Sequence, residues 1–514
     1  MSRIFHLVRA SVLGIALATL VPAALFAAAD VTASQASVRG AVLDPLNTPV
    51  PGASVSLWRD GSSIALTTSD ALGQWSFASV ETGRYELRAQ AKGFVPESAG
   101  PFFVGAGARV VLDVPLQIGL QQDVVVTASA GEQPASQVGA PVTVIDHEDL
   151  DALGKTDVLE ALRLVPGVQV VQTGGRGGTT SLFVRGGASS FNKILIDGIP
   201  ANDIGGAFDF SNFATTGVER VEALRDANSV LYGSDALAGV VDITTRRGHT
   251  RVPELAASVD GGNLGTHHED VSLGGTLQRF DYFVDYGHFA TDNDLPNSAY
   301  RNDTVAARAS WTIGSGSDVS ATLRHVSSHA GSPNALGFFG IADDSSLAEK
   351  DTFIGVTARS ELSPRWHGVL RLLSANENYD FDNPSPTGEP YDPFGFGANY
   401  LGDNVTIRGG NGYSVTGQGI LDFGGTYPQT YQTNTKRQSA SAQTTYQAID
   451  ALALSAGLRF EHEEGFTDSG LRSSTDRDNT GAFLEARTRL RRFYASAGVG
   501  YEHNAVFESA FTPR

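Results

Sequence analysis

Several residue groups in this chain have the types needed for chemistry, and most of them fail on spacing. Gly154-Lys155-Thr156 ends like a phosphate-cradling loop, but the glycine required five residues earlier is Asp149. His147-Glu148 opens like a zinc-protease pair, yet the second histidine would belong at 151, where Asp151 stands. No Gly-x-Ser-x-Gly nucleophile elbow occurs. His267 and His268 are neighbours on an alternating segment, so they point to opposite faces and are poorly placed to share a metal; pore-lining or loop positions suit them better. Asp292, Asn293, Asp294, Asn297 and Asp303 offer oxygen donors of the kind Ca²⁺ takes, with Asp292, Asp294 and Asp303 as the charged candidates, or they form a solvated acidic loop. No other cofactor is expected, and no enzyme.

The elements around these residues say more. The chain has 514 residues, several domains' worth. Arg3 and Arg9 precede an apolar run from Val12 and then Ala27-Ala28-Ala29, the pattern of an export signal over 1–29. No later stretch has the 18 or so apolar residues of a spanning helix. There are no cysteines, which excludes disulfides and thiolate metal sites. A net charge of −19 argues against a nucleic-acid partner. Residues 37–118 alternate in short runs broken by turn residues (Pro51-Gly52, Asp60-Gly61, Thr82-Gly83), which predicts a small β-sandwich. A linker, 121–137, holds the β-branched run DVVVTAS. Such a run is either a strand able to add to an exposed sheet edge or the last strand of the sandwich.

Residues 138–248 predict an α/β module. Strands are expected at 142–145, 168–172, 181–185, 193–197, 218–224 and 240–245, with a short helical turn over 228–238. A helix is expected with Thr156 as its cap, Val158, Leu159, Leu162 and Val165 on one face, and Pro166-Gly167 as its stop. From 251 to 514 about eleven ten-residue segments alternate apolar and polar, as membrane β-strands do. Leu452, Leu454, Ala456, Leu458 and Phe460, for example, oppose Ser455, Gly457, Arg459 and Glu461. Short links (near 274, 314–318, 363–365, 447–450, 491–492) alternate with longer polar ones (291–303, 329–350, 376–436, 463–479), the sorting expected of periplasmic turns and outer loops. Phe280, Tyr282, Trp311, Trp366, Phe493 and Tyr501 sit near segment ends, as interface aromatics or as ordinary strand residues. The expected fold is therefore mainly β: signal peptide, small β-sandwich, α/β module, and about eleven strands of a transmembrane antiparallel β-barrel.

The phrases LRLVPGVQV, LFVRGG, ILIDGIP, VERVEALR and SVLYGSDALAGVVDITT, in this order, resemble the plug of TonB-dependent outer-membrane receptors. The sandwich resembles a carboxypeptidase-regulatory-like domain, a fold name that implies no peptidase. The resemblance implies a receptor that imports a scarce nutrient (siderophore-iron, cobalamin or similar) with inner-membrane energy. An oligosaccharide importer, or a passive porin or adhesin barrel, is the alternative. The implied partners are a TonB-type energy-transducing complex, a small-molecule or metal-chelate ligand, and outer-membrane lipid. The implied motor-contact segment (TonB box) is Asp123, Val124, Val125, Val126, Thr127 and Ala128. The implied ligand-facing residues are Thr173, Gly174, Gly175, Arg176 and Gly177 in one plug loop. Asn202, Asp203, Ile204, Gly205, Gly206 and Phe208 are their counterparts in a second, although ordinary turns have the same composition. Such barrels have twenty-two strands and a terminal aromatic, so the resemblance also implies that the α/β module is a plug followed by the N-terminal half of a transmembrane barrel, in a C-terminally incomplete chain.

Overall fold

The computed structural model describes residues 36–44, 47–59, 62–91, 97–116, 125–126, 133–134, 140–233, 235–314, 316–333, 336–341, 343–384, 389–393, 395, 399–422, 428–490, 493–506 and 508–514. The expected signal segment lies outside them. Two compact units are present, Met1–Gln122 and Asp123–Arg514.

In the first unit eight strands form two sheets: β1 (Ala36–Leu43), β2 (Ser54–Arg59), β3 (Ser62–Thr68), β4 (Gln74–Val80), β5 (Gly83–Gln90), β6 (Glu97–Val104), β7 (Arg109–Val111) and β8 (Val114–Pro115). One sheet has the order β4-β1-β7 with β8 also on β1, the other β3-β2-β5-β6. The period-two pattern sets the packing: Val55 and Leu57 of β2, Tyr85, Leu87 and Ala89 of β5, Val38 and Val42 of β1, and Trp75 and Phe77 of β4 share one buried core.

The second unit opens with a two-residue hairpin, β9 (Val125–Val126) on β10 (Gln133–Pro134). The plug follows: β11 (Val142–Asp146), α1 (His147–Leu153), α2 (Val158–Leu162), β12 (Val168–Gln172), β13 (Thr180–Val184), β14 (Asn192–Ile196), β15 (Ile199–Pro200), β16 (Val218–Leu224), α3 (Ser229–Tyr232) and β17 (Gly239–Thr245). Its central sheet runs β11-β16-β17-β14-β15, with β14 and β17 parallel, and β12–β13 form a separate hairpin. Every residue of β14 is buried, as a central strand covered on both faces must be. Helix α1 was not legible in the sequence because Leu150 is its one buried residue, too little for an apolar stripe. The expected cap of α2 is corrected. Its N-cap is Asp157, which makes no side-chain cap bond, because Asp157 and Thr156 both turn to the guanidinium of Arg176.

The rest of the unit is a twelve-stranded antiparallel meander: β18 (Glu254–Gly261), β19 (His267–Leu277), β20 (Phe280–Thr291), β21 (Tyr300–Gly314), β22 (Ser317–Ser332), β23 (Ser345–Ser363), β24 (Trp366–Asn383), then β28 (Gln429–Ile449), β29 (Leu452–Asp468), β30 (Arg472–Leu490), β31 (Phe493–Asn504) and β32 (Glu508–Pro513). Between β22 and β23 lies α4 (Leu336–Phe339). Between β24 and β28 a small sheet of β25 (Glu389–Tyr391), β26 (Asn399–Arg408) and β27 (Ser414–Asp422) stands apart. The short links fall where the alternation puts them. The long ones shrink, because the strands continue past their apolar stretch: 463–479, read as a loop, is mostly β29 and β30 joined by three residues, 469–471. Pairing outside a membrane needs no apolar face.

Burial in this sheet is inverted relative to a soluble protein. On β29, Leu454, Leu458 and Phe460 are exposed while Ser455, Glu461 and Glu463 are buried; on β22 Arg324 is buried, and on β24 Leu370 and Leu372 are exposed. Apolar side chains face out and charges face the plug, the requirement of a strand wall against hydrocarbon. No helix among the described residues is long and apolar enough to cross a membrane. On this basis Leu458→Arg will cost about 2–4 kcal/mol of folding stability in bilayers. Denaturant titration in lipid vesicles measures it; an unchanged midpoint would mean that this face does not meet lipid.

Candidate ligand-facing surface and plug seat

Two glycine-bearing loops leave the plug, 173–179 between β12 and β13, and 201–209 after β15. The first turns on Gly174 and Gly177, both at positive φ. Thr173, Gly174 and Gly175 are exposed, whereas Gly177 is buried. Arg176 is not a free donor for a ligand: its guanidinium is held by Thr156 and Asp157 and lies 4.1 Å over the Phe289 ring of β20. Burial pushes the Asp157 carboxyl up to about 6, against the opposing pull of Arg176. Asn293 fastens this loop to the wall, donating Nδ2 to the Arg176 carbonyl at 3.0 Å.

The second loop is braced from within. Asn202 is buried, accepting from Ile194 N at 3.0 Å and donating to the carbonyls of Asn192 and Gly206 at 2.9 Å each. Asp203 Oδ1 accepts from Gly205 N and Ala207 N, both at 2.8 Å. Burial raises its carboxyl and those two amides oppose the rise. Phe208 packs edge-on to Phe210 at 4.7 Å, and Ile204 N donates to Thr435 Oγ1 of β28 at 2.9 Å. Of this candidate set only Gly205 is fully exposed; Asn202, Asp203 and Phe208 shape the loop. Asp209 supports both loops, accepting from Thr180 N and Ser211 N, and burial lifts its carboxyl to about 6.

The expected Ca²⁺ trio is not assembled. Asp303 lies within β21, where it accepts from Tyr286 Oη and His288, while Asp292 and Asp294 are exposed on the preceding loop. Of the motor-contact candidates, Val125 and Val126 lie in the β9–β10 hairpin, in a sheet separate from both sandwich sheets. Asp123, Val124, Thr127 and Ala128 lie outside the described residues.

A seat for the plug on the wall went unread in the sequence. Arg324, 2% exposed, donates to the carbonyls of Ala214 (2.6 Å) and Thr216 (2.8 Å) and stacks 4.0 Å over Phe213. Arg437, 3% exposed, donates to the carbonyls of Asn202 (2.7 Å) and Pro200 (3.2 Å) while ion-paired to Glu463 and Glu461. Asp285 accepts from Gly217 N at 2.7 Å, and Asn302 donates to the Asn212 carbonyl at 2.8 Å. Gly217 has φ 67°, and a Cβ there would collide with that of Ala306, so only glycine lets this loop reach the wall. The plug core itself extends onto Phe353, Leu373 and Ala375 of β23 and β24. Within the plug, Lys193 pairs with Asp235 at 2.7 Å, and its ammonium holds that carboxyl down at about 2.

An α/β module is seated on the polar face of a twelve-stranded antiparallel sheet whose apolar side chains point the other way. Residues 134–240 match the TonB-dependent receptor plug domain and residues 37–117 the carboxypeptidase regulatory-like domain. Among solved structures the chain is similar to FpvA of P. aeruginosa bound to heterologous pyoverdines, at 13% identity and TM-score 0.54, over 78% of this chain and 59% of that one. It is also similar to the unliganded ferric citrate transporter FecA (15%, TM-score 0.54, 74% and 60%) and to BauA, the ferric preacinetobactin receptor of Acinetobacter baumannii (12%, TM-score 0.55, 76% and 63%). The chain thus carries a TonB-dependent receptor plug domain and shares the fold of these receptor structures. It spans about three fifths of the length of these structures.

Replacing Arg437 by Ala removes a buried partner of Glu461 and of Glu463, which keeps Arg477, and two bonds to the plug, a loss of about 3–5 kcal/mol. Hydrogen exchange should then accelerate over 199–206, with β29 and β30 little changed. Equal protection in both proteins would show that Arg437 does not hold the plug.

Proposed function

We propose that this protein is an energy-coupled receptor that binds a small metal chelate, of siderophore-iron or cobalamin type, at the outer ends of the plug loops and imports it. The observation that carries the reading is the seated plug: a passive pore has no use for a domain held by buried arginines across its polar wall. In this reading Thr173, Gly174, Gly175 and Gly205 present backbone to the ligand, whereas Arg176, Asn202, Asp203 and Phe208 keep the loops in shape. The solved structures it resembles include receptors named for ferric citrate and ferric preacinetobactin, which supports an iron chelate as cargo. Segment 123–128 is the motor contact, and it lies with the N-terminal domain on the periplasmic side. An oligosaccharide importer is the second reading, favoured by the carboxypeptidase regulatory-like domain.

Deleting residues 123–128 separates coupling from binding. Uptake of labelled ferric chelates by cells should fall to the level of de-energised cells, while chelate binding to outer membranes stays as in the wild type. Uptake at the wild-type rate would contradict energy coupling, and binding of oligosaccharides but of no chelate would favour the second reading.

A further inference from the structure

On the outward face of the sheet, at the end that carries Asn293, three side chains converge. His267 and Glu269 are two residues apart on β19 and so share a face, and His288 of β20 stands directly opposite Glu269 in the register. One ligand atom from each lies within 4.8 Å of the others, the one such group among the described residues. The adjacency of His267 and His268 concealed it, since the partner of His267 is a cross-strand histidine and not its neighbour.

We infer that His267, Glu269 and His288 form a site for a divalent transition-metal ion, of which Zn²⁺ is the type. The protonation pattern is the first argument. His267 Nδ1 lies 2.9 Å from the Gly265 carbonyl and His288 Nδ1 lies 2.8 Å from Asp303 Oδ1. A carbonyl can only accept, as can an ionised carboxylate, so each ring carries its proton on Nδ1 and keeps the Nε2 lone pair for a metal. Asp303, itself accepting from Tyr286 Oη at 2.7 Å, therefore orients His288 in the carboxylate–histidine–metal arrangement. The second argument is an orphan: Glu269 Oε2 is shielded from solvent and has no hydrogen-bond partner. A shielded carboxylate oxygen without a partner is costly, and an ion between it and the imidazoles would satisfy it.

Donor chemistry selects the ion. Two imidazoles and one carboxylate suit Zn²⁺, which leaves a fourth position open, and do not suit Ca²⁺, which takes six to eight oxygens. Ligand atoms at about 2.0–2.2 Å from a tetrahedral ion stand closer together than 4.8 Å. Metal binding would therefore draw the side chains together by rotation, from rings 5.7 Å apart between centroids. The site faces away from the plug, one register step beyond the outward pair Val271 and Tyr286. It is thus separate from the ligand loops, and the bound ion would pin β19 to β20 beside the loop that holds Arg176.

The test is Zn²⁺ titration of the metal-stripped protein in detergent, in competition with a chromophoric chelator. The wild type should bind one equivalent, and His267→Ala with His288→Ala should abolish it. Asp303→Asn should weaken binding roughly 10–100-fold, and His462→Ala, on the same face, should leave it unchanged. Co²⁺ provides a second reading on the same samples, with the visible absorption of a four- or five-coordinate ion in the wild type and none in the double variant. Each variant is confirmed as folded by its circular dichroism. Wild-type affinity in the folded double variant, or no stoichiometric binding by the wild type, would overturn the inference.

Discussion

The structure depends on where the wall puts its charges. Strands that must show hydrocarbon side chains to lipid have one remaining face for Arg324, Arg437, Asp285 and Glu463, and the plug occupies that face. A buried guanidinium without partners is prohibitively costly. The plug supplies carbonyls at Ala214, Thr216, Pro200 and Asn202, and the wall supplies carboxylates. Plug and wall therefore stabilise each other. Beside the apolar contact with Phe353, Leu373 and Ala375, these contacts are polar bonds, which in the proposed function would be exchanged for water when the plug moves.

That arrangement also gives the plug loops their form. Each candidate loop is fixed twice, once inside the plug and once to the wall: Arg176 by Asp157 and by Asn293, Ile204 by Thr435 above the Asn202 brace. What remains open is backbone and small side chains at Thr173, Gly174, Gly175 and Gly205. In the proposed function such a surface would recognise its ligand by close approach and main-chain bonds.

The sequence revealed most where period was strong. The 168–172 and 218–224 strands agree with β12 and β16 residue for residue, and on β29 the alternation of Leu454, Leu458 and Phe460 with Ser455 and Glu461 separates the outward from the inward face, whereas β18 is exposed on both. It revealed least where one side chain is claimed by a distant one. Thr156 looks like a cap until Arg176, twenty residues on, takes its hydroxyl. Parity also marks Arg324 and Arg437 as inward-facing, but the carbonyls that meet them sit in loops without period, so the partner was not readable. Likewise Asp303 reads as a loop ligand only while β21 is thought to begin after it.

In the proposed function the plug, seated on the wall, must leave that seat for cargo to pass. A Cβ at Gly287 of β20 would lie 3.2 Å from the Thr216 Cβ of the plug, near disulfide range, and the chain has no cysteine to interfere. The most direct measurement is chelate uptake by cells carrying the Thr216→Cys, Gly287→Cys pair, oxidised and then reduced. The account predicts that uptake stops when the bridge forms and returns on reduction, with chelate binding unaffected throughout. Uptake at an undiminished rate through the bridged protein would contradict it.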